Sequence, residues 1–133
     1  MVLSANTGSI VDFVKDQIYD IPSYVDSGNN INNYIERARI DIQNFTGETI
    51  SSTNIAEKYI NILTNMGCAY VLSKMIGARV DFDVKLGELN VTKVNKDIPE
   101  KVELDFFVNQ ANESMKMIGR KIGYKKVWGG SNY

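Results

Sequence analysis

Residues 55–76 read IAEKYINILTNMGCAYVLSKMI, and no other stretch limits the fold as tightly. Tyr59, Ile62, Leu63, Met66 and Tyr70 recur at helical spacing and mark one face. Ile60, Val71, Leu72 and Met75 widen that face nearly all the way round. Gly67 and Ala69 place small side chains where a neighbouring helix can come close. A helix apolar on most sides is either the central helix of its domain or one that faces another subunit. Both options stand on sequence grounds. Asn54 with Glu57 three residues on predicts a capping box at the start, and Gly77 predicts the end. The uncharged core, residues 59–73, is shorter than the roughly 20 residues a spanning helix needs, so no membrane partner is expected. Cys68, the single cysteine, reads as a small buried hydrophobe within this stretch.

Three further helices follow from the same periodicity. Over residues 9–20, Ser9 is the expected N-cap. Ile10, Phe13, Val14 and Ile18 share a face there, and Pro22 stops the helix. Residues 22–30 are expected to be a loop, with Asp26, Ser27 and Gly28 as turn residues. Over residues 31–46, Ile31, Tyr34, Ile35, Ala38, Ile42 and Phe45 form a stripe that Gly47 ends. Over residues 99–122, Asp97 and Pro99 mark the start. Leu104, Phe107, Val108, Ala111, Met115, Ile118 and Ile122 make that stripe, and Gly123 follows it.

Between the last two helices the period changes to two. Val80, Phe82, Val84 and Leu86 alternate with Asp81, Asp83 and Lys85, which predicts a strand. Gly87-Glu88 then reads as a two-residue turn opening with Gly. In that register Leu86 faces Leu89 and Val84 faces Val91. An isolated hairpin is only marginally stable in water, so its apolar face must lie on the helices or on another chain. Phe82, Val84, Leu86, Leu89 and Val91 are therefore candidate intersubunit contacts. The expected fold class is mostly α: a small bundle of about four helices with one inserted β-hairpin at about 80–94. Residues 1–122 form the bundle domain, and residues 123–133 form an extended C-terminal tail.

Much chemistry is excluded by residue type. There is no histidine, so imidazole acid–base catalysis, Ser-His-Asp arrangements and histidine metal sites are absent. One cysteine cannot build a thiolate zinc site or an iron–sulfur cluster. Gly47 and Gly87 are isolated, and neither belongs to a phosphate-binding loop. Asp81 and Asp83 lie on one strand face, close enough to share a cation, but a solvated strand face is the better explanation of the pair. Glu100, Glu103 and Asp105 suit the positive end of a helix. No enzyme activity and no cofactor are expected. A chain of 133 residues can bury about two-thirds of its unfolded surface without a disulfide or a metal. Its net charge of −1 demands no polyanionic partner. The opening residues Met1 to Asn6 carry neither a basic start nor a long apolar run, which predicts no secretory signal.

The last stretch, GYKKVWGGSNY at 123–133, is of another kind. Lys116, Arg120, Lys121, Lys125 and Lys126 precede or enter it with no acidic residue after Lys116. Tyr124, Val127, Trp128 and Tyr133 are interleaved with the charges. Such a segment can lie in a groove or along a sheet edge of another protein. It can also stack on single-stranded nucleic acid, or pack locally. Gly129 and Gly130 would let the backbone turn or approach closely. The candidate partner-binding residues are Gly123, Tyr124, Lys125, Lys126, Val127, Trp128, Gly129, Gly130 and Tyr133.

The element order, with YIERARIDIQNFTG, KYINILTNMGCAYVLSKMIG, VDFDVKLGELNV and FFVNQANESMKMIGRKIGY in succession, resembles the head–tail connector proteins of tailed bacteriophages, also called adaptor or head-completion proteins. The resemblance spans about residues 9–133 and rests on order and texture, without a signature motif. It implies a structural, non-enzymatic virion protein, assembled in the host cytoplasm and located at the head–tail interface. It implies a homo-oligomeric, dodecameric ring beneath the portal protein. Such a ring extends the DNA channel without sequence-specific binding and offers a surface to the next neck or tail protein. It also implies that residues 123–133 dock between portal subunits. The hairpin departs from the many family members with only a loop there. It could cover a neighbouring subunit, line the channel or meet the tail side. The alternative function from the residues alone is a small regulatory or single-stranded nucleic-acid-binding protein that uses the basic aromatic tail.

Overall fold

The computed structural model describes residues 4–26, 30–93 and 100–122. Among these residues the elements run β1 (Ser4–Ala5), α1 (Thr7–Gln17), α2 (Ser23–Asp26), α3 (Asn30–Thr46), β2 (Ile55–Ala56), α4 (Glu57–Ile76), β3 (Arg79–Asp83), β4 (Glu88–Lys93) and α5 (Glu100–Ile122). β1 pairs antiparallel with β2, and β3 pairs antiparallel with β4. The molecule is mostly helical with one inserted hairpin, as the periodicities predict.

The breadth of the apolar face on α4 has its cause in this one chain. From Ile62 to Ser73 every residue but Thr64 is buried. α1, α3, α5 and β3 all pack on α4. Ile62, Leu63, Met66 and Leu72 are at most 1% exposed, and full burial of a side chain of that size stabilises by roughly 1.5–3 kcal/mol. Of the two sequence options, α4 is therefore the central helix, and no neighbouring subunit is needed to cover it. Gly67 lets α1 and α3 approach together: a Cβ there would lie 2.4 Å from Ile35 Cδ1 and 2.9 Å from Val14 Cγ2.

Several expected boundaries change for local reasons. Asn6, not Ser9, caps α1: its Oδ1 accepts from the Ser9 amide at 2.7 Å. Ser9 thus occupies the donor position of the cap. The helix ends at Gln17, short of Pro22, where the extended Ile18 returns its amide to the Val14 carbonyl. The expected Asn54–Glu57 capping box does not start α4. Ala56 holds the N-cap position without a side-chain bond, because Ile55 and Ala56 are held in extended form by pairing with Ala5 and Ser4. Within the expected loop after Pro22 lies the single-turn α2. Gly47 and Gly77 end α3 and α4 with φ of 75° and 71°, the left-handed conformation that glycine adopts without a Cβ clash.

The hairpin register also differs from the expected one. Phe82 faces Leu89, Val80 faces Val91 and Asp83 faces Glu88. The loop is Val84-Lys85-Leu86-Gly87, four residues rather than two. Asp83 builds it: its Oδ1 accepts from the amides of Lys85 at 2.9 Å and Leu86 at 3.1 Å. Its carbonyl accepts from the Gly87 amide at 2.7 Å. Gly87 closes the loop at φ 67°, and a Cβ there would come 2.4 Å from Phe45 Cε1. A side-chain carboxylate and a left-handed glycine thus override the Gly-first turn signal.

The hairpin forms a wall of the bundle. β3 packs on α4 and β4 on α5. Phe82 meets Phe45 of α3 edge to face, with ring centroids 6.1 Å apart. Val80 and Leu89 are buried in the common core. On the other side, Leu104, Phe107, Val108, Ala111, Met115 and Ile118 of α5 are buried along the predicted stripe.

Candidate functional site

The tail residues proposed for partner binding, Gly123, Tyr124, Lys125, Lys126, Val127, Trp128, Gly129, Gly130 and Tyr133, lie outside the described residues. So do Asp97 and Pro99. The five hairpin candidates are described, and they divide. Leu89 is buried by this chain's own helices, so in this fold it offers nothing to a partner. Phe82 and Val91 are partly buried against the core. Val84 and Leu86 stand exposed on the loop. The division follows from the register: only the two apolar residues placed in the turn are left outside the ladder.

Asp81 and Asp83, the possible cation pair, are engaged separately. Asp83 holds the hairpin loop. Asp81 lies 3.4 Å from an Arg37 nitrogen and 2.8 Å from Arg79 Nε. Among the described residues no group of three or more His, Cys, Asp or Glu could hold a metal ion. No helix among them is long and apolar enough to cross a membrane. Burial pushes the Cys68 thiol up to about 12, which keeps it protonated and unreactive.

Two surface features go beyond the sequence-based expectations. The first is a face of α5. Val102, Phe106 and Met117 are 73%, 55% and 60% exposed. Steps of four and eleven residues set them on one side of the helix, opposite the buried stripe. Exposed Asn109, Gln110 and Glu113 lie between them. Single exposed apolar residues are ordinary; three aligned on one outer face describe a surface. Their signal was present as apolar positions off the main stripe of residues 104–118.

The second is an open cleft of about 350 Å³ between α3 and β3, floored by the end of α4. Arg37, Lys74 and Arg79 line it with Tyr34, Tyr70 and Asp81. The Arg37 guanidinium sits 4.6 Å from the Tyr70 ring centre, a cation–π geometry. The Tyr70 hydroxyl donates to Asp41 Oδ2 at 3.3 Å. Burial, then the neighbouring Asp41 charge, raises the Tyr70 phenol pKa, so Tyr70 remains a donor. Burial also raises the Asp41 carboxyl, against the opposing pull of Arg37 and of the Tyr70 hydrogen bond. The groups converge from α3, α4 and β3, so only the tertiary fold assembles them.

Comparison with protein-family models, with curated proteins and with solved structures finds no match to this chain.

Proposed function

We propose that this chain is a structural adaptor of a tailed-phage neck, a head–tail connector that assembles as a ring beneath the portal. The observation that carries the proposal is the outward apolar face of α5, Val102, Phe106 and Met117. It leaves a surface for a neighbour on a helix that leads directly into the basic aromatic segment 123–133. The order of a short helix, two long helices, a hairpin and a last long helix supports the same reading. In this proposal α5 contributes to the subunit contact. Val84 and Leu86 on the hairpin loop add to it or face the next neck component, and residues 123–133 dock on the portal. DNA passes through the ring without base-specific recognition, and no catalysis is involved.

The test is co-expression with the cognate portal and electron microscopy of the product. Rings are expected on the portal. Removal of residues 123–133 is expected to abolish attachment while helical content and melting temperature stay unchanged. Normal attachment by the truncated chain would refute the docking role. Rings formed equally well by the Phe106→Ser chain would refute the α5 contact.

A further inference from the structure

The two outer edges of the hairpin are not alike. On β4 the Leu89 amide donates to Asn112 Oδ1 at 2.7 Å, and the Leu89 carbonyl accepts from Asn112 Nδ2 at 3.3 Å. Both Leu89 main-chain groups therefore point away from β3 and are occupied by a side-chain amide that imitates a neighbouring strand. In an antiparallel pair, residues opposite one another alternate between bonding across the pair and pointing outward together. Phe82 is opposite Leu89 and Val80 is opposite Val91. Their N–H and C=O groups thus point outward from β3, on the far side from Asn112. Among the described residues no main-chain group outside the hairpin bonds to them. An open strand edge is a ready template for another strand.

The Val80 end of that edge borders the cleft between α3 and β3, where Val80 is only 4% exposed, and the Phe82 end is partly exposed beyond it. Val80 and Asp81 form one side of the cleft, and Arg37 lies across it. The cationic groups there are Arg37, Lys74 and Arg79, against one lining carboxylate, Asp81. Asp81 already accepts from Arg37 and Arg79, which shows that both guanidinium groups can converge on a carboxylate at this point. Arg37 is held in place by its stacking on Tyr70.

We propose that the β3 edge is a docking site for an extended acidic segment of a partner protein, added as a third strand beside Val80 and Phe82. Main-chain bonds to Val80 and Phe82 supply the register, and a carboxylate of the incoming strand takes Arg37 and Arg79 in the place of Asp81. On the opposite edge Asn112 already occupies both main-chain groups of Leu89, so an incoming strand cannot pair past that residue there. This site is independent of the ring reading and of residues 123–133.

The experiment uses the full chain, labelled with nitrogen-15, and two synthetic hexapeptides that alternate valine with glutamate or valine with lysine. The glutamate peptide is expected to shift the Val80 and Phe82 amides and slow their exchange with solvent. Arg37→Glu is expected to weaken it about tenfold, the size of one lost charge-assisted hydrogen bond. Arg79→Glu, at a largely exposed position that leaves the core untouched, is expected to act in the same direction. Asp81→Asn frees both guanidinium groups and is expected to tighten binding several-fold. Equal binding of the lysine peptide would overturn the proposal. Binding without protection of Val80 and Phe82 would overturn it too, as would no binding at millimolar peptide. A single-stranded oligothymidine that displaced the glutamate peptide without protecting those amides would assign the cleft to a phosphate polymer instead.

Discussion

Asn112 of α5 satisfies both main-chain groups of Leu89 in β4 with one side-chain amide. The contact joins residues far apart in the chain and locks the hairpin onto the bundle. Asn112→Ala leaves the partly buried amide and carbonyl of Leu89 without partners. The expected loss is about 1–3 kcal/mol. Hydrogen exchange should show the loss as faster exchange in residues 88–92, ahead of α4. Uniform acceleration across all elements would mean that the hairpin does not open separately.

Gly87 is required twice, by its φ of 67° and by the Phe45 ring against it. Gly87→Ala is expected to cost about 2–4 kcal/mol, from left-handed strain and overpacking together. Phe45→Ala should relieve the steric part, so the double variant is expected to be less destabilised than the sum of the two single ones. Chemical denaturation of the four chains measures this coupling.

Gly67 sits where α1, α3 and α4 cross. Gly67→Ala gains helix propensity worth roughly 1 kcal/mol, but its Cβ must displace Ile35 and Val14. The steric term is expected to win, with a net loss of about 1–2 kcal/mol. A trimmed partner, Ile35→Val, should recover part of it. A rise in melting temperature for Gly67→Ala would show that the crossing has slack.

Tyr59 and Glu48 define a pH window. The Tyr59 hydroxyl donates to the Glu48 carboxylate, and Lys58 approaches the same carboxylate at 3.1 Å. The Tyr59 hydrogen bond, then that of Lys58, lowers the Glu48 pKa below its ordinary 4.5. Burial, then Glu48, pushes the Tyr59 phenol up to about 12. A lowered acid stabilises the fold above its unfolded pKa and loses that contribution as pH falls through the folded one. A raised phenol stabilises below its unfolded value, near 10, and loses that contribution as pH rises through about 12. Tyr59→Phe is thus expected to cost about 1 kcal/mol between pH 5 and 9, a small value because Glu48 is partly exposed. The difference from the unaltered chain should shrink below pH 4. A difference independent of pH would assign the effect to packing alone.

Val102→Ser alters the outer face of α5, and Phe106→Ser alters that face together with one edge-to-face contact to the buried Phe107 ring, 5.3 Å between centroids. Val102→Ser is expected to change the stability of the isolated chain by no more than about 0.5 kcal/mol, and Phe106→Ser by about 1 kcal/mol through the lost ring pair. Loss of ring assembly by chains that stay folded is the outcome expected from the adaptor reading, measured by light scattering with the portal present.

Much of the helical framework was legible in the sequence. The stripes of α3, of α4 and of α5 as far as Ile118 match the expected ones because an α-helix repeats every 3.6 residues, a period that local order alone reveals. Gly47 and Gly77 were legible for the same reason, since the left-handed cap is a property of one residue. The shortest elements were not. β1, β2 and α2 are too brief to carry a period, and the β1–β2 pairing removed the expected cap at Asn54. Asn6 was passed over because a good capping residue, Ser9, stood one turn inside the true start.

What the sequence by itself determined is which long segments are helical, which faces are apolar, and that the chain carries no histidine and a single cysteine. Only the tertiary structure decided who covers α4, how the hairpin is registered and where Asn112 caps its β4 strand. The physical reason is range. Helical periodicity is written within a few turns of chain. The hairpin register is set by Phe45, Asp83 and Asn112 acting together from separate elements, and the cleft exists only where Arg37, Tyr70 and Arg79 are brought side by side.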